Sequence, residues 1–369
     1  MSTLGNYNIL VLGESGSGKT SFLAAMYDKL SVQKADTGFS VQLPEREQKK
    51  LVHMFREIED PKRDWPPGTT DVREWELTCA IQTKIGNIPL FRFSYLDYSG
   101  GWISDEEKTD FSFYKVAEGA NAILVILDGV KIFHMLEDTQ HTLDSPLHND
   151  LRFILPILND HLSKPLHFVI TKWDILEKKY ELDVIREALF KIESFAAIVS
   201  MRNNQGSPTR LIPVSAVGNG FATLSTDQNL MIKNPKGIAQ PYQVEIPIAC
   251  VLMDDFGVFQ RNNLSEKDKL DILKKRGFIG LIIQRLTGGV DAAIPYLPLP
   301  TDDSITRPAL KLLVALTNQR LKYSQEYINE QIDALSENVK NKEEAYLKLI
   351  IQFNLLVEKL EREIPASYL

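Results

Sequence analysis

The stretch GESGSGKT, Gly13 to Thr20, has the residue types that hold phosphate. Gly13, Gly16 and Gly18 let the backbone bend until successive N–H groups converge on phosphate oxygens, with Glu14, Ser15 and Ser17 completing the loop. Lys19 is placed to reach the β- and γ-phosphates of a nucleotide, and Thr20 to offer its hydroxyl to Mg2+. Ser21 follows in the first turn of a helix, whose positive end adds to the attraction.

Three segments further along carry groups that would complete such a site. IPLFRFSYLDYSGG, residues 88 to 101, puts Asp97 at a strand end, where a carboxylate can hold Mg2+ through water. Gly100 can bring a backbone N–H close to the γ-phosphate. LHFVITKWDIL, residues 166 to 176, ends a strand in Thr171, Lys172, Trp173 and Asp174. A carboxylate at 174 can accept hydrogen bonds from guanine N1–H and the 2-amino group, whereas adenine would leave it buried and unpaired. Lys172 can lay its aliphatic stem over the base. TRLIPVSAVG, residues 209 to 218, ends in Ser215 and Ala216, small enough to let backbone N–H groups meet the guanine 6-oxo group. Each of these three alone also fits an ordinary strand end on a solvated turn. A fourth, DWPPGTTDVREWELTCAI, residues 64 to 81, supplies Thr69 and Thr70 in a Pro-Gly loop, and Thr70 is favoured to lend a hydroxyl to Mg2+ and an N–H to the γ-phosphate.

These groups need a scaffold that brings strand ends together. YNILVL is a short apolar run that reads as a buried strand, and after the loop Phe22, Leu23, Met26, Tyr27 and Leu30 recur at helical spacing. NAILVILDG reads as a central strand, and TLDSPLHNDLRFILPILNDHL as a helical crossover. EREQKKLVHMFREIED reads as a helix in the long connection before the threonine loop, 217–244 as a Gly/Asn/Pro-rich loop, and EIPIACVLMDDFGVF as a closing helix. Strands alternating with helices predict an α/β fold, a doubly wound and mostly parallel sheet with its ligand at the strand carboxyl ends.

The set GESGSGKT, DYSG, TKWD and SA resembles the sequence boxes of Ras-like, translation-factor-class P-loop GTPases. More narrowly, LGESGSGKTSFLAAMYDKL, LDYSGGWISD and TKWDIL look like the bacterial double-GTPase-like family, over roughly residues 6 to 260. The resemblance implies GTP/GDP as ligand and Mg2+ as cofactor, with Lys19, Thr70 and Gly100 in catalysis and Thr20, Thr70 and Asp97 on the metal. It also implies that the boxes belong to one GTPase domain, residues 1–262. There are two departures. Thr171 stands where the family pattern has asparagine, which should weaken the tie to the P-loop. Gly101 stands where small GTPases often have a catalytic glutamine, so intrinsic hydrolysis should be slow, with a group such as Arg73 or an acid of DEEKTD, or one from a partner, completing the site.

Beyond 262 the sequence reads as connecting helices and a Pro-rich linker, 263–307, then a C-terminal helical arm, 308–369. In it Ile328, Ile332, Leu335, Val339, Lys342, Tyr346, Leu349, Phe353, Leu356 and Leu360 follow a 3-4 repeat broken only by Lys342. That seam fits a coiled coil, or equally a helix packing on the protein's own helices.

Composition sets bounds. The net charge of −7 offers no global field for nucleic acid. Two cysteines, Cys79 and Cys250, argue against a disulfide framework and suit a reducing, cytoplasmic setting. The N-terminus lacks the pattern of a signal peptide, and no apolar run is long enough to span a membrane. RGFIGLIIQRL, 276 to 286, could touch a membrane surface, but packing on the rest of the chain is the favoured reading. His134, His141 and His148 recur every seven residues, a spacing that suits a surface better than a metal site. The expected function is a GTP-controlled switch or assembly factor, working through protein partners or self-association at its switch loops and C-terminal helices. The alternatives are a nucleotide-holding scaffold and a dynamin-like membrane-associated GTPase.

Overall fold

The structure is a computed structural model and describes residues 6–34, 36–67, 73–84, 86–97, 116–137, 145–225, 230–263 and 342–369. Thr69, Thr70, Gly100, Gly101, the DEEKTD run, His141, residues 276–286 and the seam from Ile328 to Val339 lie outside the described residues. So do residues 264–307 of the expected linker and the start of the expected arm at 308; the expected boundary after 262 falls one residue before the end of a helix, Ile246–Asn263.

A seven-stranded sheet runs in the order β2-β3-β4-β1-β5-β6-β7. Its strands are β1 (Asn6–Leu12), β2 (Ser40–Gln42), β3 (Arg73–Thr83), β4 (Gly86–Asp97), β5 (Ala122–Asp128), β6 (Leu166–Thr171) and β7 (Thr209–Pro213). β4, β1, β5, β6 and β7 are mutually parallel, while β2 and β3 pair antiparallel at one edge. The expected α/β, doubly wound, mostly parallel sheet is therefore what the chain forms. Pro89, which cannot donate to a ladder, sits where the β3–β4 register slips.

Alternation along β1 explains the layering. Tyr7, Ile9 and Val11 enter one apolar cluster, and Leu10 and Leu12 the other. On the first face lie α1 (Lys19–Leu30), α2 (Glu45–Glu59) and the two helices that return to the sheet late in the chain. On the second lie α3 (Gly129–Glu137), α4 (Pro146–Asn159), the short α5 (Trp173–Leu176), α6 (Leu182–Phe190) and α7 (Glu193–Asn204). The closing helix expected from EIPIACVLMDDFGVF is α8 (Ile246–Asn263). Lys29 near the end of α1 pairs with Glu245 at its entrance, N to O 2.7 Å.

The last helix, α9 (Lys342–Glu363), settles the seam for its described part. Tyr346, Leu349, Phe353, Leu356 and Leu360 are all buried in the same cluster as α1, α2 and α8. The Tyr346 hydroxyl donates to the Leu90 carbonyl in β4, and Phe353 meets Phe39 edge-on at 5.0 Å. Of the two readings open for this repeat, intrachain packing holds here, and α9 is a wall of the core. Arg210 on β7 locks it from the other side, forking Asp254 of α8 at 2.6 and 3.0 Å and reaching Glu361 of α9 at 2.6 Å.

The segment 217–244, expected as loop, contains a small hairpin, β8 (Ala222–Leu224) with β9 (Met231–Lys233). Three-residue strands carry too little alternation to announce themselves. Lys233 donates to the carbonyls of Glu57 and Asp60 at the end of α2, where a cation meets the negative end of the helix. Among the described residues no helix is long and apolar enough to cross a membrane.

Candidate nucleotide site

The carboxyl ends of the parallel strands β1, β4, β5 and β6 fall at Leu12, Asp97, Asp128 and Thr171. The sheet therefore gathers at one edge what the sequence scatters over 160 residues. Leaving β1, the chain turns through Gly13 to Gly18 and enters α1 at Lys19. Gly18, at the helix entrance, has φ 91°, a left-handed conformation that a side chain would strain. The Phe22 amide closes the first helical turn on the Gly18 carbonyl at 2.8 Å, and the Tyr95 hydroxyl supports the helix start by donating to the Lys19 carbonyl at 3.1 Å.

Lys19 is buried, and its ammonium donates to the carbonyls of Gly13 at 2.7 Å and Glu14 at 2.9 Å. Burial draws its pKa down from the ordinary lysine range, opposed by Asp97 and Glu14. Thr20 donates to Asp97 Oδ2 at 2.8 Å. Asp97 is fully buried; burial pushes its carboxyl upward, against the pull of the Thr20 bond, Lys19 and Arg73. The other oxygen, Asp97 Oδ1, has no hydrogen-bond partner among the described residues, and neither does the buried Ser17 Oγ. A buried carboxylate oxygen left without a donor is a strong candidate for a cation or its water shell. Thr20 and Asp97 thus fit Mg2+, which when bound beside phosphates would neutralise their charge. Ser15 and Gly16 are exposed at the tip of the loop, and Ser21 is half-buried on α1.

The segment expected to read the base lies against this loop. The Thr171 hydroxyl is 2.6 Å from the Ser17 carbonyl and 3.2 Å from that of Leu127. The tie expected to weaken without an asparagine is kept by one hydroxyl, whose single proton serves one carbonyl at a time. Lys172 is in the left-handed region, φ 55°, and its ammonium donates to the Gly16 carbonyl at 3.1 Å. Next, Trp173 N–H bonds the Val214 carbonyl at 3.1 Å, which draws the start of α5 onto the end of β7. Asp174 is consequently buried, and its Oδ1 accepts from Ser215 Oγ at 2.6 Å. Ser215 Oγ in turn accepts the N–H groups of Val217 at 3.2 Å and Gly218 at 2.7 Å, so the hydroxyl is committed as donor to Asp174. Ala216 follows, half-buried, in this turn. Asp174 Oδ2 is buried and meets no hydrogen-bonding side chain among the described residues, and burial raises the carboxyl to about 6 despite the Ser215 bond and a backbone N–H.

Lys19, Thr171 and Lys172 contact the loop directly, Thr20 and Asp97 pair beside it, and Asp174 pairs with Ser215 at the end of the segment that Thr171 and Lys172 tie to the loop. Asp128, at the end of β5, also belongs to the cluster and was not among the expected site residues. It pairs with Lys172 at 2.7 Å. Its signal was present in NAILVILDG, a carboxylate closing an apolar strand as Asp97 does. Among the described residues no cluster of His, Cys, Asp and Glu forms a separate metal site; His134 and His148 are half-buried on α3 and α4.

No protein-family model matches the chain, and no curated protein matches it. Among solved structures it is similar to the signal recognition particle receptor SRb-GTP/SRX complex from Chaetomium thermophilum, at 14% identity over 60% of this chain and 94% of that one, TM-score 0.36. It is also similar to translation elongation factor SelB from Methanococcus maripaludis in complex with the GTP analogue GPPNHP, at 16% identity over 58% of this chain and 31% of that one, TM-score 0.27. At these scores neither likeness bears on the site.

Proposed function

We propose that the chain is a Mg2+-dependent GTP-binding protein that hydrolyses GTP slowly and acts as a nucleotide-controlled switch. One observation carries this reading. The segment Thr171–Asp174, which carries the carboxylate that would read the base, is tied to the glycine loop by the bond from Thr171 to Ser17 and that from Lys172 to Gly16. A triphosphate on the loop would place its base toward Asp174. The Asp174 oxygen, which meets no side-chain donor among the described residues, suits a guanine donor and penalises adenine, which has only an acceptor at N1.

The chemistry assigned to the chain is positioning and charge stabilisation. Gly13 to Gly18 and the N-terminus of α1 would bind the phosphates. Lys19 would exchange its contacts with the loop carbonyls for the β- and γ-phosphate oxygens. Thr20 and Asp97 would hold Mg2+. Thr70 and Gly100 keep their sequence-based roles toward the γ-phosphate, and the slow turnover rests on Gly101. GTP would order the loops that carry these residues and hydrolysis would release them, with a protein partner or second copy reading the difference.

The test is a binding titration with Mg2+ and GDP, GTP, ADP and ATP, repeated on Lys19→Ala. Guanine nucleotides should bind much more tightly than adenine nucleotides, and Lys19→Ala should abolish tight binding. Equal affinity for the two bases would remove the base-reading role, and unchanged affinity in Lys19→Ala would remove the cradle.

A further inference from the structure

Asp128 is the last residue of β5 and lies in register with Thr171, the last residue of β6. It is 7% exposed, and both its oxygens are engaged. Oδ1 accepts the N–H of Val130 at 2.9 Å, which fixes the carboxylate at the start of α3. Oδ2 faces the Lys172 ammonium at 2.7 Å. The same ammonium donates to the Gly16 carbonyl, so the far end of Lys172 is held from two sides, by β5 and by the phosphate loop. Its near end is held by the left-handed backbone at 172. The aliphatic stem is therefore stretched between two fixed points.

The close approach of the two strand ends has its own requirement. A Cβ at Gly129 would fall 2.3 Å from the Thr171 carbonyl oxygen and 3.0 Å from that of Lys172. Any larger residue after Asp128 would push the end of β5 away from Lys172. The pair Asp128-Gly129 thus acts as one device, the glycine permitting the approach and the aspartate using it.

We propose that Asp128 is a positioning residue for nucleotide recognition: it sets where the Lys172 stem lies, and so how well a guanine base is held, without touching the nucleotide. The inference rests on the guanine-nucleotide reading above. It also has an electrostatic side. Asp128 neutralises the ammonium, which otherwise would stand beside the phosphate loop as a free cation. Removing the carboxylate should loosen the grip on the base while leaving attraction for phosphate intact or stronger.

The experiment measures affinities of GDP, ADP and inorganic tripolyphosphate, with Mg2+, for the wild type, Asp128→Asn, Asp128→Ala, Lys172→Ala and the Asp128→Ala, Lys172→Ala double variant. Asp128→Ala should weaken GDP about tenfold, the scale of one hydrogen bond to a charged group, and Asp128→Asn less, because its amide oxygen still accepts. Tripolyphosphate, which has no base, should bind at least as tightly as before. Once Lys172 is gone, removing Asp128 should cost GDP little more, since the two act as a unit. Equal weakening of GDP and tripolyphosphate, or losses that simply multiply in the double variant, would overturn the assignment. A wild type that binds ADP as well as GDP overturns the guanine reading and this inference together. A wild type that prefers GDP but shows multiplying losses overturns this inference alone.

Discussion

The Thr171 hydroxyl, at the end of β6, donates to the carbonyl of Ser17 in the phosphate loop across 2.6 Å. This bond joins the part of the chain that would read a base to the part that would hold phosphate, 154 residues apart. Replacing Thr171 by valine keeps the shape and removes the donor. The variant should fold and should release GDP faster, by about tenfold for a buried bond worth roughly 1 kcal/mol or slightly more. Stopped-flow displacement of a fluorescent guanine nucleotide reads this directly, and an unchanged release rate would show that the bond does not hold the loop.

Asp174 gives a base swap. With asparagine at 174 the amide can donate to the 2-oxo group of xanthine, so preference should shift from GDP to xanthosine diphosphate. Competition binding with the two nucleotides decides it. Retained preference for GDP would mean that another group reads the base.

The same carboxylate gives a pH dependence with two opposite signs. Its pKa in the folded protein is raised to about 6, above the unfolded value. The folded state therefore favours the protonated form, and the nucleotide-free protein gains stability from this group as pH falls from about 6 toward 4. Guanine needs the ionised carboxylate, so GDP affinity should fall over that window, approaching tenfold per pH unit well below 6. In Asp174→Asn both slopes should be reduced. Thermal melting without nucleotide and GDP titration from pH 4.5 to 7.5, on both proteins, would check the pair of signs.

Turnover by the isolated protein should be slow, on the order of 10⁻³ per second. Phosphate release under single-turnover conditions measures it. A rate of tens per second from a monomer would show that the site is complete in itself.

Helix α9 should behave as core. Leu360 is fully buried, and Leu360→Ala should lower stability by about 2–5 kcal/mol. Deleting 342–369 would uncover Tyr346, Leu349, Phe353, Leu356 and Leu360 together and should yield a protein that aggregates or melts far lower. A truncated chain with wild-type melting temperature would separate α9 from the folded unit.

Much of this was legible in the residues. The glycine loop announces itself because its chemistry needs fixed spacing. The parallel strands do so because, buried on both faces, they read as unbroken apolar runs such as AILVILD and LHFVIT. The side of the site at the end of β6 was legible only as types: Thr171, Lys172 and Asp174 were readable, whereas the pairing of Lys172 with Asp128 depends on two strands meeting, which spacing does not encode. The hairpin at Ala222–Lys233 and the edge strand Ser40–Gln42 are too short to show periodicity. The fate of the Tyr346–Leu360 seam was open for a physical reason. A stripe of apolar side chains states that it must be covered and leaves the covering surface unspecified.

Trp65 enters the segment that leads to Thr69 and Thr70. Its indole N–H donates to the Met231 carbonyl at 2.8 Å, its ring meets Phe221 edge-on at 6.3 Å, and the Lys233 ammonium stands 4.7 Å from its centre. An indole beside a cation has an emission colour and yield that depend on the distance between them. The chain thus has a built-in optical reporter at the root of the threonine loop. A movement there on nucleotide binding should alter intrinsic fluorescence without any dye, and replacing Trp65 by phenylalanine should silence that signal.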